Sequence, residues 1–182
     1  MDNILYKGYS ISIEQDENPY NPRYYNDNLG IMVCFHGRYD LGDKTDLTSK
    51  MFENWNDLEE HLFKKERAKY VTPLYLYDHS GITISAEPFS CPWDSGQIGF
   101  IYTTSKRIRE QFKHKKLCDI ADDIIQQLLS EVKIYDQYLT GDIYGYMIKK
   151  DDIDIDSCWG FYGYDETLQE AKSIVDSYKE TV

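Results

Sequence analysis

The run Leu74–Thr104, "LYLYDHSGITISAEPFSCPWDSGQIGFIYTT", decides the fold class. It holds three strand-like segments, "LYLYDH" (74–79), "ITISA" (82–86) and "IGFIYTT" (98–104). Ser80-Gly81 between the first two marks a tight hairpin. The connection to the third places Cys91, Trp93 and Asp94 among Pro88, Pro92, Gly96 and Gly99. Prolines stiffen the approach and glycines permit a sharp return. Trp93 in such a loop either packs on the core or stands out as an anchor for a partner.

Working outward, "ILYKGYSISI" (4–13) reads as a first strand with Gly8 a turn or bulge, and residues 14–28 as a polar loop with two prolines. "LGIMVCFHGRY" (29–39) is of strand type. A helix is expected at about 51–69, where Trp55, Leu58 and Leu62 share a face, and Pro73 ends that unit. Ser105 caps a short basic helix, "KRIREQFKHKK". The strongest helical signal lies at about 118–139: Ile120, Ile124, Ile125, Leu128, Leu129, Val132 and Tyr135 form one apolar stripe, closed by Gly141. "DIYGYMIKK" (142–150) and "IDSCWGFYG" (155–163) pair across "DDID", and a last helix opens near Asp165, burying Leu168, Ala171, Ile174, Val175 and Tyr178. This order predicts one α+β domain over residues 1–182, with a mostly antiparallel sheet of about five to seven strands and about three or four packed helices.

Charge is the most informative feature of the composition. The 182 residues carry 20 basic and 32 acidic side chains, net −12. Residues 1–60 are net −7, residues 61–116 net +5 and residues 117–182 net −10. Such a balance disfavours nucleic acid and anionic membranes as direct ligands and favours a basic partner. The basic middle either neutralises the acidic thirds, within the fold or across a homodimer, or touches phosphate; the first is favoured. No apolar run approaches the roughly eighteen residues of a membrane span. The start "MDNILYKGYS" lacks a secretory pattern, and four cysteines without a CxxC pair read as reduced thiols of a cytoplasmic protein. Seventeen tyrosines and three tryptophans fit either a tyrosine-rich sheet or a protein-binding face.

Catalysis would need an imidazole beside Cys91, and His79 with Asp94 is the only set near it in sequence. No peptidase signature surrounds that cysteine, so a tucked loop thiol is the simpler reading. Cys34 and His36 alternate on one strand face without further metal ligands. "DDIDIDSCWG" fails as a calcium loop: counted from Asp152, position six is Ser157 and position twelve Gly163. No phosphate-binding glycine motif occurs, and no cofactor is expected. Beside Asp151, the residues Asp152, Asp154 and Asp156 alternate along an extended strand, spaced about 6.6–6.8 Å, with Ile153 and Ile155 turned to a core. That is about twice the ~3.4 Å phosphate rise of one DNA strand. Glu14, Asp16 and Glu17, or Asp119, Asp122 and Asp123, would extend this negative surface; the plainer reading is solvated turn and helix-start residues.

Read together, "MVCFHGRYDLGDK" (32–44), "LYLYDHSGITIS" (74–85), "PFSCPWDSGQIGFIY" (88–102), "YDQYLTGDIYGY" (135–146) and "DSCWGFYG" (156–163) resemble a family of small acidic proteins. Phages, plasmids and other mobile elements of Gram-positive gut bacteria carry them. The likeness spans nearly the whole chain, and the tryptophan–aspartate loop is its most specific part. The sequence is also similar to inhibitors of type II CRISPR effectors, the RNA-guided DNA nucleases. This resemblance implies a counter-defence protein of the bacterial cytoplasm, not an enzyme, that binds the host nuclease and blocks DNA binding or cleavage. It carries over no functional residues.

Overall fold

The computed structural model describes residues 3–25, 27–113 and 119–178. Its elements run β1 (Asn3–Tyr6), β2 (Tyr9–Gln15), β3 (Ile31–Cys34), α1 (Trp55–Lys64), β4 (Ala68–Asp78), β5 (Ile82–Ser85), β6 (Ser95–Thr104), α2 (Ser105–Gln111), α3 (Ala121–Thr140), β7 (Ile143–Lys150), β8 (Ile153–Tyr162) and α4 (Tyr164–Ser177). The fold is α+β, as expected, with its strands in two four-stranded antiparallel sheets. Contacts divide the chain into two compact units: residues 1–21 with 137–182, and residues 22–136.

In the first unit the sheet order is β1-β2-β7-β8. Lys7 and Gly8 both take positive φ, 49° and 84°, as a two-residue hairpin turn requires. The opening run is therefore two strands. β2 joins the distant β7, with Ser10 opposite Lys149 and Glu14 opposite Gly145. Alternation along β2 then sends Tyr9, Ile11 and Ile13 to one face, where Tyr146, Ile148 and the α4 residues Ala171 and Val175 complete a core. α4 starts from Gly163, two residues before the expected Asp165, and Thr167 bonds back to the Gly163 carbonyl through both its N–H and its hydroxyl.

The second unit orders its sheet β3-β6-β4-β5. Val33, Phe100 and Tyr102 face α1, packing on Leu58 and Leu62. On the other face Ile101 and the α3 residue Leu128 close over Gly30 so tightly that a Cβ there would lie 2.6 Å from Ile101 Cδ1. Pro73 does not end the α1 unit; it lies inside β4, opposite Phe100. The reason is local: β5 covers only Tyr75–Asp78, so at Pro73 the second edge of β4 needs no N–H. α1 is shorter than expected. Asn54 caps its start by accepting from Asp57 N–H, and Arg67 at φ 57° turns the chain into β4. Thr104, rather than Ser105, caps α2 by accepting from Arg107 N–H. Ile120, just before α3, and Ile124, Leu128, Val132 and Tyr135 along it are buried, whereas Leu129 is half-buried and Ile125 is exposed on the edge of the stripe. His114 to Lys116, and Cys118, lie outside the described residues.

Candidate functional site

The β5–β6 connection settles where Trp93 points. Asp78 N–H donates to the Asp94 carbonyl at 2.8 Å, and Ser95 Oγ–H donates to the Cys91 carbonyl at 2.5 Å. Phe89 packs on Tyr77 with ring centroids 5.7 Å apart. These ties pin both ends of the loop to the β4–β5 hairpin, yet Trp93 between them is 91% exposed. Trp93 and Asp94 border a groove of about 390 Å³ also lined by Phe35, Arg38, Asp78 and Gln97. Arg38 pairs with Asp78, and the Tyr39 hydroxyl donates to the same carboxylate at 3.3 Å. An indole held in water by a tied loop can bind a partner with little ordering cost.

Cys91, His79 and Asp94 do meet, but in the wrong order for a nucleophile. His79 Nδ1 lies 3.2 Å from Asp94 Oδ2, and Cys91 Sγ lies 3.9 Å from that same oxygen. The carboxylate stands between thiol and imidazole, whereas activation needs the imidazole on the thiol. Cys34 ends β3, where burial pushes its thiol up to about 12, and His36 stacks on Tyr39 at 5.0 Å. Among the described residues no three His, Cys, Asp or Glu side chains gather as a metal-binding group.

The acidic row differs from its expected form. Asp151 and Asp152, at φ 50° and 63°, form a two-residue turn, so only the first half of "DDID" is turn and β8 begins at Ile153. Asp156 faces Ile148 while Asp154 faces Lys149, leaving Ile155 as a bulge. The extra residue flips the alternation. Asp154 therefore shares a face with Lys149, to which it is paired at 3.0 Å. Asp156 turns to the α4 face and accepts from the hydroxyls of Tyr146 and Tyr178, each at 3.4 Å. Burial, with this carboxylate nearby, pushes the Tyr146 phenol up to about 12. Ile153 and Ile155 do not enter the core: β8 is an edge strand, and they are 65% and 42% exposed.

Nor do the acidic clusters merge. β2 and β7 run antiparallel, so Glu14, Asp16 and Glu17 lie at the opposite end of the sheet from Asp151 and Asp152, roughly 17 Å along the strands. Asp16 is occupied locally, accepting from Asn18 N–H at 3.0 Å, and Glu14 Oε1 is buried without a hydrogen bond. Asp122 and Asp123 stand exposed in the first turn of α3. What does concentrate is charge: by sequence the first unit holds 14 acidic and 5 basic residues, net −9, and the second 18 and 15, net −3. In the second unit, part of the basic middle is neutralised in place, by Lys64–Glu60 and Lys106–Glu110 pairs.

Sequence reading missed the Arg23–Asp43–Glu131 cluster altogether. Arg23 Nε and Nη2 grip both oxygens of Asp43 at 3.0 and 2.8 Å, and Nη1 donates to Glu131 Oε2 at 3.0 Å. Nη1 also reaches Asn28 Oδ1 and Nη2 the Gly30 carbonyl. Glu131 Oε1 accepts from Leu29 N–H at 2.7 Å, and Asp43 Oδ2 from Met32 N–H at 2.8 Å. These carboxylates hold Arg23 above its usual range despite its burial. Arg23 and Asp43 line a cleft of about 660 Å³ also bordered by Tyr24, Tyr25, Lys44, Tyr102 and Arg107. With all five guanidinium N–H groups engaged, Arg23 orders the fold rather than greeting a ligand. The available signal was a lone glutamate on the apolar stripe of α3, three residues after Leu128 and four before Tyr135.

No helix among the described residues is long and apolar enough to cross a membrane. No family model, no curated protein and no solved structure matches the chain.

Proposed function

We propose that the chain is a protein inhibitor that binds an RNA-guided DNA nuclease of its bacterial host and obstructs DNA binding or cleavage without chemistry of its own. The observation that carries this reading is the segregation of charge: net −9 on the first unit, with Asp151, Asp152 and Asp154 exposed around the β7–β8 turn. Ile153 and Ile155 stand among them as exposed apolar contacts. Such nucleases hold their nucleic acids in positively charged channels, and a compact acidic hairpin has the charge to compete there. The resemblance to inhibitors of type II effectors supplies the partner class.

The test is neutralisation of the turn. Asparagine tolerates positive φ as aspartate does, so D151N/D152N/D154N keeps the hairpin. Inhibition of guide-directed cleavage should weaken about tenfold at low salt. The gap between variant and parent should close as salt is raised, because exposed charges are screened over about 8 Å at physiological ionic strength. Equal inhibition by variant and parent at every salt concentration would remove the acidic turn from the mechanism.

A further inference from the structure

We infer that Trp93 and Asp94 form a receptor for an arginine side chain presented by a protein partner. The inference rests on reading the chain as a protein-binding inhibitor and adds a second contact, on the unit that does not carry the acidic turn. Trp93 is 91% exposed, and both border one groove. The charged groups of that groove are Asp78, Asp94 and Arg38, two carboxylates against one guanidinium. Arg38 is already spoken for by Asp78, whose other oxygen receives the Tyr39 hydroxyl.

Asp94 is half committed. Its Oδ2 meets both His79 Nδ1 and Cys91 Sγ, and the side chain still keeps 39% of its surface open to solvent. A planar cation fits this pair of neighbours better than any other protein group. Guanidinium stacks on an indole face through its π system and bonds a carboxylate through its N–H fork. A lysine ammonium lacks the plane and is more strongly hydrated, so it gains less from the indole. Ties from Asp78 to Asp94, from Ser95 to Cys91 and from Tyr77 to Phe89 order the backbone that carries the indole before binding. A partner that binds nucleic acid is rich in exposed arginine, which makes this contact compatible with the acidic turn without depending on it.

The experiment is a titration followed by ¹⁵N–¹H NMR of the whole chain, with acetyl-Gly-Arg-Gly-amide as probe and its lysine counterpart as control, at one ionic strength. The expected result is a saturable shift of the Trp93 indole Nε1–H and the Ser95 amide, with the arginine peptide bound at least about threefold more tightly than the lysine peptide. Asp94→Asn should lose that selectivity while its spectrum reports an intact fold, and D151N/D152N/D154N should keep it. Indistinguishable peptides, an unmoved Trp93 signal or an unaltered D94N variant would each overturn the assignment. An arginine-selective shift in a chain that inhibits no nuclease would support the site and overturn the choice of partner, so the two readings fail separately.

Discussion

Replacing Arg23 with methionine is expected to destabilise the second unit by about 3–5 kcal/mol. Nothing in its sequence surroundings, "YNPRYYND", announces such a role. The side chain is 2% exposed and its five donors serve two carboxylates, one amide oxygen and one backbone carbonyl. Methionine fills much of the volume but leaves Asp43 and Glu131 as uncompensated charges. Arg23→Lys keeps a charge but cannot grip Asp43 at two points while reaching Glu131, so it should fall between parent and methionine variant. The pH dependence has a definite sign. Burial pushes the Glu131 carboxyl up, and the Arg23 guanidinium opposes that rise. Without Arg23 the folded-state value climbs further above the unfolded one, so stability is fully present below the unfolded value and is lost as pH rises through the folded one. The R23M deficit should therefore be larger at pH 7 than at pH 4. Denaturant midpoints at both pH values measure it; a deficit under about 1 kcal/mol, or one that grows on acidification, would contradict the account.

Gly99→Ala is the second large effect. A Cβ built at Gly99 lies 1.8 Å from the Val33 carbonyl oxygen and 2.8 Å from its carbon. These are backbone atoms of the neighbouring strand and cannot swing aside as a side-chain tip would. Relieving the clash means drawing β3 off β6, which disrupts the Cys34–Gly99 and Val33–Phe100 pairings and the core that Val33 and Phe100 share with Leu58 and Leu62. The expected loss is about 3 kcal/mol, at the upper end of overpacking costs. Gly96→Ala, three residues earlier in β6, is the control: its Cβ would meet nothing within 4 Å, and its stability should stay within about 0.5 kcal/mol of the parent. Equal midpoints for the two variants would show that β3 yields freely at this point.

The parts of the fold legible in the sequence are those set by local pattern. Ser80 at φ 59° turns β4 into β5, Gly141 at φ 75° ends α3, and the stripe from Ile120 to Tyr135 is buried apart from the half-buried Leu129 and the exposed Ile125. What escaped reading is set by pairing across long stretches of chain. β2 meets β7 nearly 140 residues away, a pairing that creates the first sheet and splits the strands into two. Pro73 sits in a strand because β5 is too short to reach it, a fact about a neighbour rather than about proline.

The candidate sites divide the same way. The Trp93 loop was visible as a rigid turn, but whether its indole faced core or solvent depends on ties from Asp78 and Tyr77 that spacing does not encode. The acidic row was visible as alternating aspartates. A single bulge at Ile155 then set Asp154 and Asp156 on opposite faces, because a period of two reverses with one added residue. Glu131 carried the faintest signal, one charge on an apolar face, and its partner Arg23, which also grips Asp43, lies about a hundred residues upstream.

The central claim is stoichiometric binding to a guide-loaded nuclease, and it is tested most directly by titrating the chain into a fixed concentration of such nucleases from Gram-positive bacteria while following DNA cleavage. The expected result is a linear loss of cleavage that ends at about one chain per nuclease for a tight complex, unchanged by Cys91→Ala. Full loss at a small fraction of one equivalent, abolished by Cys91→Ala, would contradict binding as the mechanism, and undiminished cleavage at a large excess across the set would contradict the proposed partner.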